Sequence, residues 1–489
     1  MNSNESSITD PRVAISAGVL SYPTEPPFHP GQVYPEYPFG KDYISDSPNH
    51  VYDGIRRTLQ VLRLDEEDYG TPYWNPLGDI IRPGDKVILK PNWVLNQMWK
   101  GQIQDTLTTH GSVIRAILDY VMIALKSKGS VVLFDCPLTV ADFDAILKYY
   151  HIPDICEFIT NNTGIRVVPQ DGRFRKILLN EKYRRIRDER DARQAISHCL
   201  VDLGEHSLHS KGDMSWKRYE SGGDETDIMR QHHNENKHEY LIFKPALEAD
   251  VFINIPKMKT HCKTGCTIAL KNLIGICADK SYLPHYKKGG SLLGGDEYEG
   301  FSPMMEIRQP LVHFFRSKSD SIWNIGLYGW RLLAWVRRGF KPKTASQYGK
   351  YDVFGGSWMG NDTLWRTIID LNRIIFYVDS HGKLHDKPVR KYFCLVDGVI
   401  AGDGNGPLKP TSRKAGLIFA GFNPVAIELV GIRAMGFDYR KIRVVTESLK
   451  LSKLLLCDFP NKEPLLVGDR LPSSEPFIPP SCWEDLIAN

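Results

Sequence analysis

Long apolar runs are missing from this sequence. No stretch of about 18 uncharged apolar residues occurs, so no membrane-spanning helix is expected. The opening residues, MNSNESSITDPRVAIS, have neither a basic start nor an apolar stretch, and no secretory leader is expected. Charge of one sign does not dominate either. Lysine and arginine number 62 against 58 acidic residues, a net charge of +4. That balance lacks the concentrated basic face of a nucleic-acid binder, so no nucleic-acid partner is expected. The nine cysteines are odd in number and scattered, with Cys394 and Cys457 in apolar surroundings. They suit reduced thiols in a cytoplasm better than a disulfide framework. Cys262 and Cys266 have CxxxC spacing, but with Cys277 they lack a fourth partner for a closed zinc site. No nucleophile elbow, P-loop or post-strand GxGxxG appears, nor any internal repeat or low-complexity tract.

What remains is ordinary globular composition, 42% hydrophobic and 25% charged over 489 residues. Residues 86–90 (KVILK) read as a short buried strand introduced by the turn signal Pro83-Gly84-Asp85. A helix period follows over residues 110–127, then a second buried strand over 131–134 (VVLF). Strand, helix, strand is a βαβ unit and predicts a parallel sheet. Further strands are predicted at 250–255 (DVFINI), 392–396 (YFCLV) and 416–420 (GLIFA). Helices are predicted at 267–276, at 361–377 with Asn361 or Asp362 as N-cap, and at 423–435 with Pro424 in first position. The expected architecture is α/β, a mostly parallel sheet with flanking helices and two long insertions. Residues 1–80 read as an irregular N-terminal arm and 81–440 as one core domain. The insertions fall at about 170–238, a charged and solvated stretch with His232, His233 and His238 in solvent, and at 284–360. Residues 441–489 read as an extension packed on the core.

In open α/β sheets ligands sit beyond the carboxyl ends of the strands. Residues 86–90 lead into Lys90-Pro91-Asn92. The VVLF run ends in Asp135, DVFINI leads to Lys257, Lys259 and His261, and YFCLV leads to Asp397 and the loop Gly402-Asp403-Gly404-Asn405-Gly406-Pro407. Apolar strands that all end in polar residues predict a site. Lys257, Lys259 and His261 are two apart and share a face if the chain is extended. Cations crowded so closely call for an anion or carboxylates among them. Asp135, Asp397 and Asp403 are the candidate carboxylates, and Asp397 with Asp403 is the candidate pair for a divalent metal. The competing reading is a solvated strand end. The amides near Gly265-Cys266-Thr267 would add a helix N-terminus facing the anion. Lys271 and Asn272 follow one turn later. They either point into the site or serve as a snorkelling lysine and a loop-capping asparagine.

These same residues resemble the family known as domain of unknown function 362. The matching pieces are Lys90-Pro91-Asn92, the P-K-x-K-T-H of Pro256 to His261, and the A-L-K-N-x-x-G of Ala269 to Gly275. Asp397-Gly398, Gly404 to Pro407 and Asn423 to Ala426 follow in order, so the resemblance spans residues 85–440. Many relatives resemble iron–sulfur proteins through an attached ferredoxin-type segment. This sequence lacks that segment, and no iron–sulfur cluster is expected. The family arrangement is similar to that of the nickel-pincer lactate racemases. Longer relatives with an aromatic insertion resemble companions of bacterial surface-polysaccharide assembly.

The leading expectation is an enzyme of unassigned class acting on a small anionic substrate, such as a phosphorylated or acidic sugar. Lys90, Asn92, Lys257, Thr260, Asp135, Gly404 and Asn405 would bind it. His261, at an ordinary imidazole pKa, would be general acid/base, with Lys259, Lys271 and Asn272 beside it. Asp397 would orient His261 or hold a metal. One rival is a non-catalytic protein peripheral to the inner face of a membrane. Its contact would be the aromatic and basic stretch 323–343, from Trp323 to Lys343, which otherwise packs on the body or in a homo-oligomer. The other rival is a redox enzyme with a nickel or iron cofactor.

Overall fold

The computed structural model describes residues 6–97, 101–180, 185–192, 194–210, 214–221, 225–301, 303, 355–472, 475–483 and 485–488. The aromatic stretch 323–343, and most of the insertion around it, lies outside the described residues. The fold is mixed α/β with a large, mostly parallel central sheet and flanking helices, as the sequence predicts. Ten strands build the sheet: β1 (Arg12–Ala17), β2 (Lys86–Pro91), β3 (Ser130–Asp135), β4 (Val167–Asp171), β5 (Val251–Ile255), β6 (Lys257–His261), β7 (Gly265–Thr267), β8 (Lys391–Asp403), β9 (Thr411–Gly421) and β10 (Leu465–Gly468). They run in the order β10-β1-β9-β8-β5-β2-β3-β4, with β6 alongside β8 and β7 alongside β6. Pairing is parallel from β8 through β5, β2 and β3 to β4, and also for β6 with β8 and β1 with β10. Antiparallel pairs join β1 to β9, β8 to β9 and β6 to β7.

The strands read as unbroken apolar runs because both faces are covered. Val87 and Leu89 pack into one layer with helices α1 (His50–Val61) and α2 (Gly111–Leu125). Ile88 faces the other layer, with α4 (Leu364–Tyr377) and α5 (Pro424–Ala434); α3 is the short turn Ala269–Asn272. The caps explain where the helices start. Asn423 Oδ1 accepts from the amides of Val425 and Ala426 at 2.9 and 3.0 Å, with Pro424 in first position. Asn361 Oδ1 accepts from the amides of Thr363 and Leu364 at 3.0 and 2.9 Å.

Two expectations are corrected. Residues 1–80 are not an irregular arm throughout. Strand β1 lies inside the sheet between β9 and β10, and α1 packs on it. A short RVAIS segment gives little local signal when its partners come from residue 411 onward. Residues 18–49 lack helix and strand, and they cover α2. There the buried Arg115 pairs with Asp119 at 2.9 Å and donates to the Pro27 carbonyl and the Tyr37 hydroxyl at 3.0 and 3.1 Å. The charged stretch near 170–238 is not simply solvated. It holds a hairpin of Arg175–Leu179 with Arg185–Arg190, a helix Thr226–His232, and a strand His198–Asp202 paired with Glu239–Phe243.

His233 and His238, expected in solvent, are buried against His209, with ring centroids 5.6 to 6.1 Å apart. Burial pushes His233 down to about 3 and His238 to about 4. Both fold in as neutral rings, so the unfolded chain binds more protons between pH 6.5 and 4. Stability is therefore expected to fall as pH drops through that window, by on the order of 2 kcal/mol per histidine at pH 5. Urea unfolding from pH 7 to 4.5 checks this. His238→Gln should flatten the slope, and an unchanged slope would refute the assignment.

Candidate functional site

A cavity of about 640 Å³ opens beyond the carboxyl ends of β2 and β3, where β6 and the turn α3 meet the loop after β8. That volume suits a small molecule. Its wall among the described residues carries six lysines, Lys90, Lys259, Lys263, Lys271, Lys280 and Lys409, and one carboxylate, Asp135.

The floor is a closed polar network. Lys90, wholly buried, pairs with Asp135 at 2.8 Å and donates to the Pro91 carbonyl at 2.8 Å and Asn272 Oδ1 at 3.3 Å. Asp135 is further held by the amides of Trp93 and Cys136, at 2.6 and 2.8 Å. Asn92 Nδ2 donates to Asn272 Oδ1 at 2.7 Å. The Asn272 amide group in turn donates to the Lys90 carbonyl at 3.2 Å and to Asn254 Oδ1 at 2.7 Å. Asn272 therefore lines the cavity with its side-chain amide already committed. It is a hub that fixes Lys90 and Asn92. Gly275 closes the floor from above: a Cβ there would meet the Asp135 carboxylate and the Lys90 ammonium. The glycine that ends ALKNLIG is thus required by close approach.

Lys259 and His261 come from β6, which is extended as its spacing requires. The wholly buried Lys259 ammonium donates to Asn92 Oδ1 at 2.6 Å and to the Leu107 carbonyl, and no carboxylate pairs with it among the described residues. Burial, with Lys271 and Lys257 near, pushes its pKa well down. His261 does not keep an ordinary imidazole pKa. Burial and the neighbouring Lys271 and Lys263 hold it well below, so the ring is neutral at pH 7. The Lys263 amide donates to Nδ1 at 3.0 Å, which puts the ring proton on Nε2. His261 thus serves as an N–H donor, and the expected near-neutral acid/base role is replaced. Lys271 reaches the cavity half-buried from α3, and burial with the nearby Lys263 and Lys280 pulls it down to about 7. Beneath it Glu428 of α5 accepts from the Leu270 amide at 2.9 Å, and burial pushes it up to about 7.

Several expected residues are elsewhere. Lys257 does not line the cavity. Its ammonium pairs with Asp397 at 3.1 Å and donates to the Tyr22 hydroxyl at 2.5 Å, all buried under the N-terminal arm. The register of β6 on β8 shifts between Lys257 and Lys259, and this irregularity separates two side chains that alternation alone puts together. Asp397 therefore neither orients His261 nor holds a metal; it accepts from Tyr22 at 2.6 Å and from the His110 amide at 3.0 Å. Asp403, six residues further along β8 and about 20 Å away at strand rise, faces Arg413 at 3.4 Å. The two cannot share an ion. Among the described residues no three His, Cys, Asp or Glu side chains gather as metal ligands. The helix N-terminus expected near Gly265 is instead strand β7, paired antiparallel with β6.

Thr260 and Gly404 also lie off the cavity. Thr260 Oγ1 donates to the Gly404 carbonyl at 2.7 Å, and the Cys262 amide donates to the Gly406 carbonyl at 3.0 Å. These bonds clamp the GDGNGP loop to β6 and turn Asn405, Gly406 and Pro407 toward the cavity. Sequence reasoning passed over Lys263, Lys280 and His285. Their one signal was cation density through residues 257–288. Lys280 donates to the carbonyls of Cys136 and Cys277 at 2.8 and 3.2 Å.

Fold and site together define an α/β chain with a lysine-walled cavity at the strand ends of a mostly parallel sheet. Residues 196–433 match the family described as domain of unknown function DUF362, and over that span the chain resembles this family. The match includes β5 to β9 and the PKMKTH and ALKN segments; Lys90, Asn92 and Asp135 precede it. No curated protein matches the chain. Among solved structures, a crystal structure of a protein from Thermotoga maritima aligns with a TM-score of 0.31 and 11% identity, over 81% of this chain and 59% of the other. The chain thus spans 59% of that neighbour's length. Among the described residues no helix is long and apolar enough to cross a membrane.

Proposed function

We propose that the cavity binds a small multivalent anion and that the chain is an enzyme acting on it. The candidate substrates are phosphorylated or acidic sugars and acids, the class that the resemblance to surface-polysaccharide companions also implies. One observation carries the reading: among the described residues, six lysines face a space that contains a single carboxylate, and Lys90 already uses it. Buried like charges repel unless an opposite charge is supplied. Neutral His261 adds a hydrogen-bond donor that needs no further charge.

The reading predicts a specific pH dependence. Lys271 and Lys263 sit at about 7 and about 8, below the ordinary lysine value of about 10.4. The folded state therefore binds fewer protons than the unfolded chain, and the ligand-free protein gains stability as pH rises from about 7 toward 10.4. A bound anion draws protons back onto these amines. Inorganic pyrophosphate should raise the melting temperature, with the larger rise at pH 7 and the smaller at pH 9. Stabilisation of about 2.7 kcal/mol is expected at a hundredfold excess over Kd. Calorimetry and thermal shift check this; an equal shift at both pH values, or no binding of phosphate, pyrophosphate or citrate, would overturn the reading.

A further inference from the structure

The lysines of the cavity are not equivalent. Lys90, Lys259 and Lys280 have their ammonium protons committed to carbonyls, amide oxygens or a carboxylate. Lys263 lies over the Tyr286 ring at 5.3 Å. Lys271 makes no hydrogen bond or ion pair among the described residues, yet it lines the cavity and is only half-buried. Its backbone is nevertheless fixed. The next residue is the Asn272 hub, and the preceding Leu270 amide is tied to Glu428. The result is a free amine on a rigid base, inside a cationic cavity.

Resting on the anion reading above, we propose that Lys271 captures the carbonyl group of an anionic aldehyde or ketone as an imine. The Nζ lone pair attacks the carbonyl carbon and the C–N bond forms as the C=O π pair moves to oxygen. A proton passes from nitrogen to that oxygen to give the carbinolamine. The C–O bond then breaks, the nitrogen gives up its second proton, water departs and the C=N bond remains. Nothing is oxidised or reduced. Lysines desolvated beside other cations are the ones that form such adducts, because the unprotonated amine is the nucleophile. At about 7, a large share of Lys271 is unprotonated at neutral pH. The other lysines would grip the anionic end and leave the carbonyl for Lys271, which has no hydrogen bond or ion pair among the described residues.

Pyridoxal 5′-phosphate, an anionic aldehyde, is a direct probe, followed by sodium borohydride and peptide mapping by mass spectrometry. The expected result is one reduced adduct on Lys271, blocked by inorganic pyrophosphate and weaker with phosphate-free pyridoxal. Lys271→Arg should lose the adduct, and a cooperative urea unfolding transition would show that the variant folds. Labelling spread over exposed lysines with Lys271 unmodified, while pyrophosphate binds, would overturn the imine and leave the anion reading standing. If pyrophosphate does not bind, the anion reading fails, and pyridoxal tests the amine alone: an adduct on Lys271 supports it, and none overturns it.

Discussion

Lys259→Met is expected to make the protein more stable and its anion binding weaker. Burying a cation without a carboxylate costs several kcal/mol, and a neutral side chain of similar volume does not carry that penalty. The substitution also removes two hydrogen bonds made by a charged group, to Asn92 Oδ1 and the Leu107 carbonyl, at about 1.5 kcal/mol each. Asn92 lines the cavity, so water can replace the lost donor there. The net expectation is a gain of about 1–2 kcal/mol in urea unfolding at pH 7. Pyrophosphate affinity should fall at least about tenfold, as expected for losing one charge-assisted contact. Function and stability would then pull in opposite directions at this residue, as they do where a site stores strain. A destabilised variant with unchanged affinity would show that Lys259 is a structural lysine.

Gly275→Ala is expected to break the floor of the cavity. The added methyl would occupy the space of the Asp135 carboxylate and the Lys90 ammonium, so the two groups must move apart and give up their hydrogen bonds in the floor. Separating a buried ion pair costs about 3–5 kcal/mol. Unfolding by urea should show a loss of that size. Pyrophosphate binding should go with it, because Asn272 shares Lys90 with the pair. Adding Lys90→Met and Asp135→Leu should add little further loss, since the pair is already gone. Full additivity of the three changes would mean that Gly275 does not act through it.

The legible part of the fold was the part written locally. Strands β2, β3, β5 and β8 announce themselves as apolar runs that end in polar residues, and the cap Asn423 with Pro424 announces α5. The polar ends at Lys90, Asn92 and Asp135 do meet Lys259, His261 and Lys271 around one cavity. What stayed hidden depends on partners far off in the chain. The Lys257 position cannot be read from alternation, because the shift of β6 on β8 comes from pairing. Asp397 finds its partner in Tyr22, 375 residues away. The helix expected over 267–276 is present as α3 and a following 3-10 turn, Leu273–Ile276, but it starts two residues late because residues 265–267 pair with β6 as strand β7, with Gly265 at a positive φ of 79°. Lys263, Lys280 and His285 were missed because they come from turns, where no periodicity marks the inward side.

The placement of β1 sets a condition on how this molecule is made. As a strand, residues 12–17 pair with β9 and β10, residues 411–421 and 465–468. This strand must therefore wait for roughly 400 further residues to be made before its edges are covered. At synthesis rates of about 5–20 residues per second, that is a delay on the order of tens of seconds. Val13 and Ile15, both fully buried in the finished fold, stay without their partners throughout. Such long-range closure slows folding and exposes an unpaired edge, so yield in cells should depend on whatever shields this segment while the rest of the sheet is laid down.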